Sequence, residues 1–178
     1  MKEILLKILE KPEYILALCA LIISIISLGL AFYSSYQNRL HNRLGVRPFA
    51  YILPKDYEDN IAVIIQNKGT GPLITKTISF CKNGVDNKKY LIDFMPSLND
   101  GYFWSTFSKA QKIILRPSEE KVLIEFSGKL TDNDFKKQRD LIRKALSEIE
   151  MNIEYTSIYN EKKPFKLNYK LDWYKREK

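Results

Sequence analysis

The chain has 178 residues, a formal charge of +8 and 45% apolar residues, which leaves room for one membrane anchor and one soluble domain but not for a second domain. Its two cysteines, Cys19 and Cys81, cannot build a disulfide framework, and a reducing compartment fits them. The one histidine, His41, and the absence of metal-ligand spacing, a P-loop or a nucleophile elbow argue against an enzyme and for a binding or structural protein, with no cofactor expected.

Residues 1–13 carry Ile4, Leu5, Ile8 and Leu9 on one side of a short helix, with Lys2, Lys7 and Lys11 largely on the other. That pattern predicts an amphipathic segment in the headgroup region. Lys2, Lys7 and Lys11 are cancelled by Glu3, Glu10 and Glu13, so the whole net charge falls on the part from Gln37 onward.

Residues 14–36, Tyr14 to Tyr36, hold no charged side chain. As a helix they would extend roughly 34 Å, enough to cross a bilayer with every backbone polar group satisfied internally. A cleaved signal peptide is the rival reading. The run is longer than the usual apolar region and its flank is neutral rather than basic, so a retained transmembrane helix is favoured. Tyr14 at one end and Phe32, Tyr33 and Tyr36 at the other suit the two interfaces. Ala17, Ala20, Ser24, Ser27, Ala31 and Ser34 recur at spacings of three and four, a stripe of small side chains that permits close helix packing and a homo-oligomer, against the equal reading of a plain anchor in which such residues are common.

Residues 37–48 form a basic juxtamembrane linker in which Arg39, Arg43 and Arg47 recur every fourth position before Pro48. The spacing predicts one helical face that could hold anionic lipid headgroups, against the plainer reading of an ordinary positive flank. Lys and Arg counts on the two sides of the anchor are nearly balanced. With the basic domain and unpaired cysteines they place a single-pass protein in the cell inner membrane, its C-terminal domain in the cytoplasm.

From Phe49 to residue 178 the hydrophobic period changes to two. Phe49–Leu53, Ile61–Gln66 and Leu73–Cys81 read as strands. Asn67, Gly69, Gly71 and Pro72 make a candidate loop, either a structural hairpin connection, which is favoured, or an anion nest. Asn83-Gly84 reads as a further hairpin turn, and residues 88–98 as a short helix or irregular crossover.

Tyr102 to Phe107 is an aromatic patch read first as core, with base stacking or peptide binding as the alternative. Lys112–Arg116 and Lys121–Ser127 suggest a hairpin about Pro117. Thr131 then caps a helix whose buried stripe is Phe135, Ile142, Ala145, Leu146 and Ile149, with Arg139 and Arg143 mostly outside it. A last hairpin alternates through Ile153–Tyr159 and Phe165–Trp173. The fold class expected is therefore a single N-terminal transmembrane α-helix followed by a mainly-β domain, sandwich-like or a partly open barrel, with one or two helices.

Three segments, His41-Asn42-Arg43-Leu44-x-Val46-Arg47-Pro48, Asn67-x-Gly69-x-Gly71-Pro72 and Ile153-Glu154-Tyr155-x-Ser157-x-Tyr159, give the chain its likeness to other proteins. It resembles a widespread, uncharacterised group of prokaryotic single-pass membrane proteins. The resemblance covers most of the chain, supplies no catalytic residues, and departs at Leu73, where that group often has alanine. It implies that small proteins of this design can serve as effectors in anti-phage defence. The leading reading is thus a membrane-anchored, non-enzymatic binding module whose helix self-associates, its most specific form a membrane-disrupting effector. The alternatives are an accessory tether for a protein partner, or a nucleotide or nucleic-acid sensor using the basic domain.

Overall fold

The computed structural model describes residues 12–82, 86–109 and 112–175. The chain divides after Leu44 into two compact units. The amphipathic segment expected over residues 1–13 falls almost wholly outside the described residues, as does the Asn83-Gly84 turn.

The described residues of the first unit form one long helix. Helix α1 runs Pro12–Gly45, 34 residues with none buried, about 51 Å in all, and is long and apolar enough to cross a membrane. Pro12 opens it, where a missing N–H costs little. No glycine or proline interrupts residues 37–44, so the helix continues past Tyr36 to Gly45. The expected linker is thus mostly helix, and only Val46–Phe49 leads into the next element.

The second unit is a two-sheet sandwich. One sheet has the order β1 (Ala50–Asp56), β2 (Asn60–Asn67), β7 (Glu120–Ser127), β5 (Thr106–Phe107). The other has the order β4 (Asp86–Lys88), β3 (Leu73–Lys82), β8 (Ile149–Thr156), β9 (Phe165–Lys170), with the short β6 (Ile114–Leu115) also on β3. Every pairing is antiparallel, and the register shifts once in each sheet, at Val63/Ile64 and between Thr75 and Thr77. Pro54 lies within β1, the edge strand of its sheet, where a missing N–H breaks no ladder on the open side.

Ile61, Val63 and Ile65 of β2 meet Ile78 and Phe80 of β3 and Met151 and Ile153 of β8 in one core. Each such side chain contributes about 1.5–3 kcal/mol by leaving water. Among the described residues every core residue lies between Ala50 and Tyr174, so the domain carries a core of its own.

Helix α2 (Asn133–Ser147) links β7 of one sheet to β8 of the other. Its cap is Asp132 rather than Thr131: the carboxylate accepts from the N–H groups of Asp134 (2.9 Å) and Phe135 (3.3 Å), satisfying two orphan donors of the first turn. Phe135, Gln138, Ile142 and Leu146 form its buried face. Phe135 stacks on Phe126, their centroids 5.1 Å apart.

Several expectations are corrected. Arg143 does not point outward: it grips Asp56 with Nε and Nη2 at 2.8 and 2.9 Å, and the Asp56 side chain is only 1% exposed. Arg139 donates to the Tyr57 carbonyl (2.8 Å) and to that of Glu58, so two α2 arginines hold the β1–β2 turn. Lys112–Arg116 does not pair with Lys121–Ser127. Instead Ile114 and Leu115 pair with β3, and Thr75 secures the change by receiving the Ile113 N–H on its hydroxyl (2.7 Å) and donating its own N–H to the Ile113 carbonyl (2.9 Å). The last strand stops at Lys170. Leu171–Tyr174 coil into a 3₁₀ turn that buries Leu171 and Tyr174 and exposes Trp173, the three-residue spacing of that helix replacing the alternation.

Candidate functional site

Along α1, Ala17, Ala20, Ser24, Ser27, Ala31 and Ser34 share one stripe because the helix is unbroken between them. The Ser24 hydroxyl is already used within the helix, donating to the Ala20 carbonyl at 2.7 Å. Arg39 and Arg43 lie one turn apart on the same helix. Arg47 does not join them. The helix has ended, and its guanidinium sits over the Phe165 ring, 4.8 Å from the centroid, a cation–π contact within the β domain.

The candidate loop is a clasp. Asn67, fully buried, donates through Nδ2 to the carbonyls of Gly71 (2.8 Å), Leu115 (3.2 Å) and Arg116 (3.2 Å). Its Oδ1 accepts from the N–H groups of Phe49 (3.2 Å) and Gly69 (3.0 Å). One side chain thereby ties together the loop, the strand-crossing segment at 115–116 and the chain just after α1. The Lys68 N–H donates to the Phe49 carbonyl (2.8 Å), the Thr70 N–H to that of Arg47 (3.2 Å), and the Thr70 hydroxyl to that of Gly45 (2.7 Å). The N–H groups of residues 68, 69 and 70 are therefore spent inside the chain, and an anion nest there would have to break these bonds.

The two glycines are required by proximity. A Cβ on Gly69 would stand 2.4 Å from the Arg47 carbonyl oxygen, and one on Gly71 would stand 1.8 Å from that of Val46. The Val46-Arg47-Pro48 and Asn67-x-Gly69-x-Gly71-Pro72 segments are thus the two halves of a single structural unit. Neither half signals the other in sequence, because the contact spans some twenty residues.

The third segment, Ile153–Tyr159, ends in another closed network. Glu161 accepts from the Ser157 N–H (2.9 Å) and from the hydroxyls of Thr156 and Ser157, while its own N–H donates to Thr156 Oγ1 (2.9 Å). Burial alone would raise the Glu161 carboxyl, but the Ser157 and Thr156 hydrogen bonds outweigh it and hold the group down at about 2. Glu161 had no signal in sequence beyond its place five residues after a Thr-Ser pair.

The aromatic segment splits by alternation. Tyr102 and Trp104 pack on Phe126 with centroids 6.2 and 5.7 Å away, while Phe103 is 81% exposed and Phe107 48%. The Tyr102 hydroxyl donates to the Asp132 carboxylate at 2.5 Å. That bond pushes the phenol up to about 12 and lowers the Asp132 carboxyl. The segment is therefore partly core and partly a surface tip braced on the α2 cap.

Among the described residues no group of three or more His, Cys, Asp and Glu side chains is placed to hold a metal. Compared with known protein families, with curated proteins and with solved structures, the chain finds no match.

Proposed function

We propose that the protein is a single-pass, membrane-anchored, non-enzymatic binding module in which α1 both spans the bilayer and self-associates, while the β domain engages a protein or ligand. One observation supports this most: α1 buries none of its 34 residues, whereas the β domain closes its core without it. An apolar surface of that size, left open by its own chain, matches a lipid medium. Anti-phage defence, with engagement at the domain loosening helix packing and disrupting the inner membrane, is the specific role carried over from the resemblance. Crosslinking the detergent-solubilised protein and measuring its mass tests the assembly. The expected result is a discrete oligomer that Ser24→Leu with Ser27→Leu dissolves, together with any growth arrest on expression.

A second reading, an accessory tether holding a partner at the membrane, is favoured by the Ser24 hydroxyl. It bonds to Ala20 of its own helix and so need not seek a neighbour. Replacing α1 with an unrelated monomeric anchor separates the two: a tether keeps its function, an oligomeric effector loses it.

A further inference from the structure

One end of the sandwich combines positive charge with exposed apolar side chains. The register brings the start of β1 beside the end of β2 (Ala50↔Asn67), the start of β7 beside Gln66, the start of β3 beside β6 (Leu73↔Leu115), and the end of β8 beside the start of β9 (Tyr155↔Phe165). Asn67 joins the two sheets there by bonding to the carbonyls of Leu115 and Arg116. This is also the end at which the domain begins, at Gly45.

The segments that make up this end, residues 45–49, 67–76, 112–121 and 157–164, hold eight lysines and arginines against three carboxylates. Two of the three are engaged locally, Glu119 by the Arg116 N–H (2.7 Å) and Glu161 by the network described above. Lys68, Arg116, Lys162 and Lys163 are exposed. Among them stand Phe49, Ile114, Ile158 and Tyr159, between 43% and 61% exposed. A cavity of about 300 Å³ opens between Lys76, Lys112, Thr75 and Asn160. Lys76, on its lining, donates to the Glu161 carbonyl at 3.5 Å.

We propose that this Asn67 end is a docking surface for a bilayer carrying anionic lipid, its lysines and arginines meeting phosphate headgroups while Phe49, Ile114, Ile158 and Tyr159 enter the interface. The proposal rests on the reading of α1 as a membrane anchor for its setting, and on the β domain alone for its chemistry. Charge complementarity selects the partner: polybasic surfaces are drawn to anionic leaflets. Ile114 and Ile158, aliphatic and exposed among the charges, favour lipid over nucleic acid: single strands would use only the rings of Phe49 and Tyr159, and duplexes charge alone. The cavity between Lys76 and Lys112 is the place for one headgroup phosphate.

The test uses the fragment 45–178, which retains every core residue, with circular dichroism confirming that each variant is folded. Vesicles of phosphatidylcholine, with and without 30% phosphatidylglycerol (on the order of a cytoplasmic leaflet's anionic content), are sedimented with it. Binding to the anionic vesicles is expected. Lys162→Glu with Lys163→Glu should weaken it at least tenfold, Ile158→Ser should weaken it at high salt, and Lys136→Glu with Lys137→Glu on α2 should leave it unchanged. No vesicle binding, equal loss from both charge reversals, or retention of an oligonucleotide in preference to vesicles would overturn the proposal. Alkaline carbonate extraction of the full chain reports separately on α1: a fragment that ignores vesicles beside a full chain that resists extraction defeats the docking surface and leaves the anchor standing.

Discussion

Strand β2 and the middle of α1 are written in the same side chains and meet opposite surroundings. Ile61, Ala62, Val63, Ile64 and Ile65 are consecutive in β2 and all buried. In α1, Ile22, Ile23, Ile25 and Ile26 are 47–63% exposed. The sandwich uses the apolar surface of β2 internally, at about 25 cal/mol for each Å² removed from water, whereas no described residue of α1 is buried. Hydrophobicity therefore says that a segment must leave water, while the rest of the chain decides into what.

The strongest way to break this contrast is to charge α1. Ile23→Arg with Ile26→Arg should cost roughly 5–7 kcal/mol of insertion, at about 2.5–3.5 kcal/mol per residue near a helix centre. The protein should then be released by alkaline carbonate, with the melting temperature of its β domain unchanged. A lowered melting temperature would mean that α1 belongs to the domain core after all.

The converse change acts on the domain alone. Asn67→Ala strands the Phe49 and Gly69 N–H groups and removes the donor to three carbonyls. The expected loss is about 3 kcal/mol in urea denaturation, with membrane retention intact. A change below about 0.5 kcal/mol, the range of ordinary surface substitutions, would show that the clasp is incidental.

The smallest effect separates charge from shape. Glu161 is depressed in the folded protein to about 2 from an ordinary value of 4.5. Its stabilisation is thus complete above pH 4.5 and disappears as pH falls toward 2. Glu161→Gln should remove about 1–2 kcal/mol at pH 7, a figure reduced for solvent screening, and little near pH 2. Equal destabilisation at both pH values would assign the effect to packing.

Local patterns in the sequence carried the elements, and distant contacts decided how they combine. The charge-free run of α1 and the Phe165, Leu167, Tyr169 alternation of β9 were legible because each is a property of neighbouring residues. The partner of β6 was not: Ile113, Ile114 and Leu115 announce a strand, but Thr75, some forty residues earlier, determines which sheet receives it. Trp173 deceived the alternation rule because a single turn of 3₁₀ helix places Leu171 and Tyr174 inward, three apart instead of two. Arg143 looked like a surface charge since the buried carboxylate that claims it, Asp56, lies at the end of a different strand. For the site, the glycines at 69 and 71 were visible as turn residues. Their deeper reason, the closeness of Arg47 and Val46, required the folded chain.

Pro54 gains a consequence from the proposed anchoring. Chains confined to a plane collide sideways far more often than chains free in solution, and an unprotected strand margin invites neighbours to zip together. By withholding a donor from the outer margin of β1, Pro54 removes one of the margins at which crowded heads would zip into stray fibrils.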